Sequence, residues 1–402
     1  MRDPTSFLGE EYRELVRQDL DWKLRVLGGP STPWCMVDGK KVLMFCSNNY
    51  LGLSNHPKLK SAALEAVKNY GAGSGSVRPI AGNMDLHMEL ERRLAKFKGA
   101  EASLVYQTGY AANSGLIPQL AGKGDLVVSD ELNHGSIIDG VRLSLAERRV
   151  YKHGDADDLS RVLDEAEGSS TAFRRILIIT DGVFSMDGDI APLDRVAALG
   201  AEHGAMVYVD DAHGEGVLGE GGRGIVSHFR LPRDRVHVEM GTFSKAFGVV
   251  GGHISGSQDL VNFAYNKSRT WLLSGSHPPA VAAACLAAVD VLESEPEHVR
   301  RLWENTRYFK KAMVDLGFDI GKSETPITPV MVGESAKAKQ LSSRLFEAGV
   351  FALPIVYPMV AQGRARIRTI MNAALTKEDL DFAIGAFETA GKELRVVPRA
   401  AS

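Results

Sequence analysis

The chain has 402 residues, 44% of them hydrophobic and 24% charged, with a formal net charge of −3. That length allows one large domain with a smaller one appended, and the mixed charges leave no basic block to neutralise a nucleic-acid backbone. No apolar leader with a cleavage site and no long uncharged apolar stretch occurs, and Cys35, Cys46 and Cys285 are scattered, so a cytoplasmic protein without membrane spans or a disulfide framework is expected.

Residues 6–26 carry Phe7, Tyr12, Leu15, Val16, Leu20 and Trp22 at helical spacing, which predicts an amphipathic helix. The Asp38-Gly39 turn signal predicts a short strand at 42–45. From there to about residue 285, short apolar runs at 103–106, 126–129, 176–180, 205–209 and 249–254 read as strands. Helical stretches at 57–70, 84–97, 155–166 and 193–203 separate them. Near-continuous apolar strands between helices predict an α/β fold with a mostly parallel sheet covered on both faces. Ligands then sit beyond the carboxyl ends of the strands. Past about residue 295, helical stretches at 296–317, 336–348 and 376–393 predict a smaller α+β unit. The expected organisation is an N-terminal helix and strand at 1–45, a large domain at 46–290 and a small C-terminal domain at 291–402.

Four segments carry candidate chemistry. Gly241-Thr242-Phe243-Ser244-Lys245-Ala246-Phe247-Gly248 sets a lysine among small, hydroxyl and apolar residues. Such an amine has a depressed pKa and in its neutral form attacks an aldehyde; Thr242 offers a hydroxyl to a phosphate. Read alone, the segment also fits a loop lysine with no special role. Val207-Tyr208-Val209-Asp210-Asp211-Ala212-His213 closes an apolar strand with two acids and a histidine. Pyridoxal phosphate needs a carboxylate beside its pyridine nitrogen to keep the ring an electron sink, and Asp210, nearer the strand, fits better than Asp211. His134 follows another strand, where its ring suits stacking on a cofactor face. Gly109 and Tyr110 follow a strand and open a helix, whose backbone N–H groups bind phosphate. The glycine-rich run at 71–76 follows a helix and lacks G-x-G-x-x-G spacing, so it is not a dinucleotide site. No H-E-x-x-H or comparable set occurs, so no metal is expected.

These segments, with Ser47-Asn48-Asn49-Tyr50-Leu51-Gly52-Leu53, Gly182-Val183-Phe184-Ser185-Met186-Asp187-Gly188 and Arg364-Ala365-Arg366-Ile367-Arg368, resemble the α-oxoamine synthase family of fold-type I pyridoxal-phosphate enzymes from about residue 40 to 393. The resemblance implies a seven-stranded-type sheet, with Lys245 holding the cofactor as a Schiff base and moving the substrate's α-proton. It implies Asp210 at the pyridinium, His134 on the ring, and Ser185 and His213 at the phenolic oxygen. Gly109, Tyr110 and Thr242 would bind the phosphate, and Asn48 and Arg368 the substrate. Ser274 and Gly275 would reach the cofactor phosphate of a partner subunit, which implies a homodimer with shared sites. Arg366 is expected to face away from Arg368. Gly275, Asn83 and Leu375 depart from the family pattern.

The implied reaction is condensation of an amino acid with an acyl-CoA. The strings at 362–369 and 325–329 look most like the glycine C-acetyltransferase branch, so glycine with acetyl-CoA is the expected pair. The alternatives are the 8-amino-7-oxononanoate synthase branch (alanine with pimeloyl-CoA) and the serine palmitoyltransferase branch. Outside the family the rivals are an aminotransferase and a non-catalytic fold relative.

Overall fold

Asp38 and Gly39 both have positive φ, 50° and 77°, as a tight two-residue hairpin requires. They fold β1 (Trp34–Val37) back on β2 (Lys40–Met44) in the computed structural model, which describes residues 3–18, 20–169 and 172–397. The expected strand at 42–45 is β2; β1 was not foreseen.

The central sheet has seven strands. In chain order they are β3 (Ala102–Tyr106), β4 (Leu126–Asp130), β5 (Glu147–Tyr151), β6 (Ile176–Asp181), β7 (Met206–Asp210), β8 (Val238–Thr242) and β9 (Gly252–Gly256). Their spatial order is β3-β9-β8-β7-β6-β4-β5, parallel except for β9, which runs against both of its neighbours. Successive side chains feed two cores: Leu177 and Ile179 lie in one and Ile178 in the other, while Tyr208 opposes Val207 and Val209. This alternation buries both faces, as a sheet with helices on each side requires. The strand expected at 249–254 starts only at Gly252, because Gly248 and Gly251, with φ of 71° and 144°, bend the chain before it.

Two three-stranded sheets complete the fold. β10 (Ile327–Gly333), β12 (Leu353–Ile355) and β13 (Ala365–Ile370) form one, and β11 (Val350–Phe351) pairs in parallel with β2 in the other. The N-terminal hairpin thus joins the C-terminal part of the chain. The helix expected over 6–26 covers only Ser6–Arg17. None of its residues is buried and Trp22 is 73% exposed, so none of the described residues covers the apolar face to extend a helix that is marginal by itself.

Candidate active site

The carboxyl ends of the parallel strands converge. Asp181 of β6 and Asp210 of β7 are register partners, and Thr242 ends β8 three residues before Lys245. The turn after β3 delivers Thr108, Gly109 and Tyr110, and the turn after β4 delivers His134. With Ser136, Ser185, His213 and Ser244 they line one cavity of about 200 Å³.

Each wall has a local cause. Thr108 caps the helix Gly109–Leu120, its hydroxyl accepting from Ala111 N–H at 3.0 Å. This leaves the N–H groups of Gly109 and Tyr110 at a helix N-terminus without an acceptor among the described residues. Gly252 lets β9 pass close behind: a Cβ there would meet Gly109 N at 2.5 Å. Asp210 is buried and fixed by Asn113 Nδ2 at 2.7 Å and by Ala212 N–H at 3.0 Å. Asn113 is itself oriented by the Tyr208 hydroxyl at 2.7 Å. His134 caps the helix Gly135–Leu143 with its Nδ1 toward Ser136, and its backbone N–H donates to Asp181 at 2.8 Å. Burial and the neighbouring Asp210 push the Asp181 carboxyl well above its ordinary value.

Lys245 Nζ makes no hydrogen bond or ion pair among the described residues. Burial brings its ammonium down to about 8, against the opposing pull of Asp210 and Asp181. His213 accepts or donates at Nδ1 to the Tyr50 hydroxyl at 2.7 Å. Burial, reinforced by the Lys245 and Arg368 charges, holds it well below the ordinary histidine range, so it is neutral.

Arg368, on β13, has Asn48 Oδ1 at 3.3 Å from Nη2, and its Nε donates to the Ser185 carbonyl. It has no carboxylate partner among the described residues. Arg366 does: it pairs with Asp187 at 2.5 Å and donates to Met186 O at 3.0 Å. The expectation that Arg366 faces away is corrected. Residues two apart on a strand share a face, and both arginines reach the 185–187 turn.

Ser274 and Gly275 do not line the cavity. Gly275 bridges Val77 and accepts from Gln107 at 2.5 Å. The departures from the family pattern serve the scaffold: Asn83 Oδ1 accepts from Arg78 Nε at 2.6 Å, beside the buried Arg78–Glu91 pair, and Leu375 is core.

The residues present fit pyridoxal phosphate. Two open N–H groups await a phosphate, a fixed carboxylate suits the pyridine nitrogen, and an unpartnered amine of lowered pKa suits the aldehyde. The aminotransferase class I and II family matches residues 40–387. This chain belongs to that family. It is 56% identical to the 8-amino-7-oxononanoate synthase of Symbiobacterium thermophilum, over 98% of this chain and 99% of that one. It is 52% identical to 8-amino-7-oxononanoate synthase 1 of Bacillus subtilis, again over 98% and 99%. A solved structure of serine palmitoyltransferase with pyridoxal phosphate superposes with a TM-score of 0.92 at 30% identity, covering 98% of this chain and 100% of that one. The chain is thus an α-oxoamine synthase with the fold-type I architecture, and its cofactor is pyridoxal phosphate.

Sequence reasoning missed Asn113, Asp181, Ser136, Ser244 and Tyr50. Asn113 lies one helical turn beyond Gly109, a spacing that signals a shared face. Asp181 ends its strand as Asp210 does, the same signal that singled out Asp210. Tyr50 gives no sign of its partner, which lies 163 positions away.

Proposed function

We propose that this enzyme condenses alanine with a pimeloyl thioester to give 8-amino-7-oxononanoate. The observation that carries this reading is the identity of 56% over 98% of the chain to a protein of that name. The product name prescribes the substrates. Carbons 1–7, with a keto group at 7, are a pimeloyl unit, and carbons 8 and 9, with the amine at 8, are alanine without its carboxyl group. The balance is alanine plus thioester giving product, carbon dioxide and free thiol. The expected pair of glycine and acetyl-CoA lacks comparable support. Its marker strings have structural duties here: Thr325 Oγ1 donates to Gly188 O at 2.9 Å, Arg366 is paired, and Gln362 is exposed.

When bound, pyridoxal phosphate supplies the electron sink that stabilises a carbanion at the amino acid's α-carbon. Lys245 would hold its aldehyde carbon and would take the substrate's α-proton on Nζ; a pKa near 8 suits an amine that both accepts and returns a proton. Asp210, held by Asn113, keeps the proton on the pyridine nitrogen. His134 would lie on the ring. Gly109 and Tyr110 would bind the phosphate through N–H, whereas Thr242, expected to offer its hydroxyl, donates that proton to the Gly251 carbonyl at 2.7 Å and lines the site without a donor to spare. Ser185 and His213 would face the phenolic oxygen. With the Tyr50 phenol donating to Nδ1, His213 presents an Nε2–H toward that oxygen or the acyl carbonyl. Arg368 and Asn48 take the substrate carboxylate. Ser274 and Gly275 are assigned to the phosphate of a partner subunit in a homodimer.

A matrix of alanine, glycine and serine against acetyl, pimeloyl and palmitoyl thioesters, read by thiol release, tests this. Alanine with the pimeloyl thioester should give the highest kcat/KM. Preference for glycine with acetyl-CoA would restore the rejected pair, and amino transfer without thiol release would make the protein an aminotransferase.

A further inference from the structure

We infer that His56, Glu295 and His298 form a binding site for a divalent transition metal of the zinc class. His56 precedes the helix Pro57–Tyr70, Glu295 follows the helix Pro279–Ser294, and His298 stands in the first turn of the helix Glu297–Asp315. One oxygen, Glu295 Oε2, lies 3.6 Å from His56 Nε2 and 3.2 Å from His298 Nε2, and all three ligand atoms lie within 4.8 Å of one another. Zinc bonds of about 2.0–2.2 Å in a tetrahedron set ligand atoms roughly 3.3–3.6 Å apart. One of the three edges, at 3.6 Å, therefore already has the length such a site needs, and a second, at 3.2 Å, lies just below it.

The surroundings select the ligand atoms. Lys58 Nζ holds the other carboxylate oxygen, Oε1, at 2.7 Å, which leaves Oε2 to the histidines. His56 Nδ1 is buried without a hydrogen-bond partner among the described residues, and the ring meets Glu295 through its Nε2 side. The side chains are 15%, 22% and 17% exposed, so the fourth position opens to water. Two imidazoles and one carboxylate suit zinc, nickel or copper, whereas magnesium and calcium prefer all-oxygen sites. The sequence concealed the set because His56 comes from the far end of the chain and no H-E-x-x-H spacing marks it.

The site ties the turn before His56 to the corner between two helices. Gly248 packs against that turn, since a Cβ there would come within 2.3 Å of Ser54 N, and its N–H bonds the Lys245 carbonyl at 3.0 Å. Metal at this corner would clamp the wall behind the cofactor lysine. The inference stands apart from the choice of substrates.

Untagged holoenzyme, stripped of metal with a chelator, is titrated with zinc chloride in a calorimeter and heated with and without zinc. One zinc per chain should bind and raise Tm, magnesium should not replace it, and Glu295→Gln and His298→Gln should each weaken zinc binding at least about 100-fold. Both variants should keep the cofactor absorbance and zinc-free Tm of the wild type. If either misfolds, His56→Gln takes its place in the comparison. Failure of the wild type to bind zinc stoichiometrically, or unchanged affinity in the folded variants, overturns the site.

Discussion

Replacing Arg368 by alanine removes a half-buried cation that has no carboxylate partner among the described residues. Its Nε is committed to the Ser185 carbonyl and one Nη2 donor to Asn48 at 3.3 Å, which leaves Nη1 and the rest of Nη2 for a substrate carboxylate. Losing a charge-assisted pair of this kind in a desolvated site costs about 2–5 kcal/mol. At about 1.36 kcal/mol per decade, kcat/KM for the amino acid should fall by roughly 30- to 5000-fold. The assay is thiol release at varied alanine with saturating pimeloyl thioester. Cofactor absorbance should not change, since no contact of Arg368 with the ring is proposed. Arg368→Lys should recover only part of the loss, because an ammonium lacks the planar fork. Arg366→Ala should lower stability instead, because Arg366 spends its donors on Asp187 and Met186. A kcat/KM within about threefold of wild type for Arg368→Ala, under about 1 kcal/mol, would refute the carboxylate role.

Asp210→Asn should retain the fold and slow exchange of the alanine α-proton in deuterated water by about 100-fold or more, because a neutral amide cannot hold the pyridine nitrogen protonated; exchange near the wild-type rate would send the search to Asp181. The rate at which cofactor-stripped protein captures pyridoxal phosphate should climb about tenfold per pH unit as the Lys245 ammonium loses its proton, and level off above about 8; a rate still climbing about tenfold per unit from about pH 8 to 10 would contradict a lysine of lowered pKa. Lys98 is buried within 3.5 Å of carboxylate oxygens of Asp211, Glu215 and Glu239, so Lys98→Met should cost about 3–5 kcal/mol in urea unfolding by leaving buried charges unpaired. An unchanged unfolding midpoint would contradict that.

Most of the site was legible because a parallel sheet puts its chemistry where apolar runs stop. Asp210, His134 and Gly109 all follow such runs, and the fold gathers them with Thr242 and Lys245 into one cavity. What the sequence hid was contact between remote segments: Asn113 behind Asp210, Tyr50 against His213, and His56 beside Glu295. β5 and β8 were missed because their composition is wrong for an apolar run, Glu147, Arg148 and Arg149 in one and Glu239 and Gly241 in the other. Glu239 is tolerated inside the sheet because Lys98 lies 2.7 Å from it, a pairing that no local pattern announces. The strings that suggested glycine with acetyl-CoA say little about substrate for a related reason: Thr325 and Arg366 hold backbone and turns in place.

The central claim is the identity of the product, and isotope-traced mass spectrometry tests it most directly. The holoenzyme is incubated with pimeloyl-CoA and alanine labelled with carbon-13 in its carboxyl group. Unlabelled 8-amino-7-oxononanoate should accumulate, with the label in carbon dioxide and one free thiol per product. Absence of that product, while glycine and acetyl-CoA turn over under the same conditions, would contradict the account.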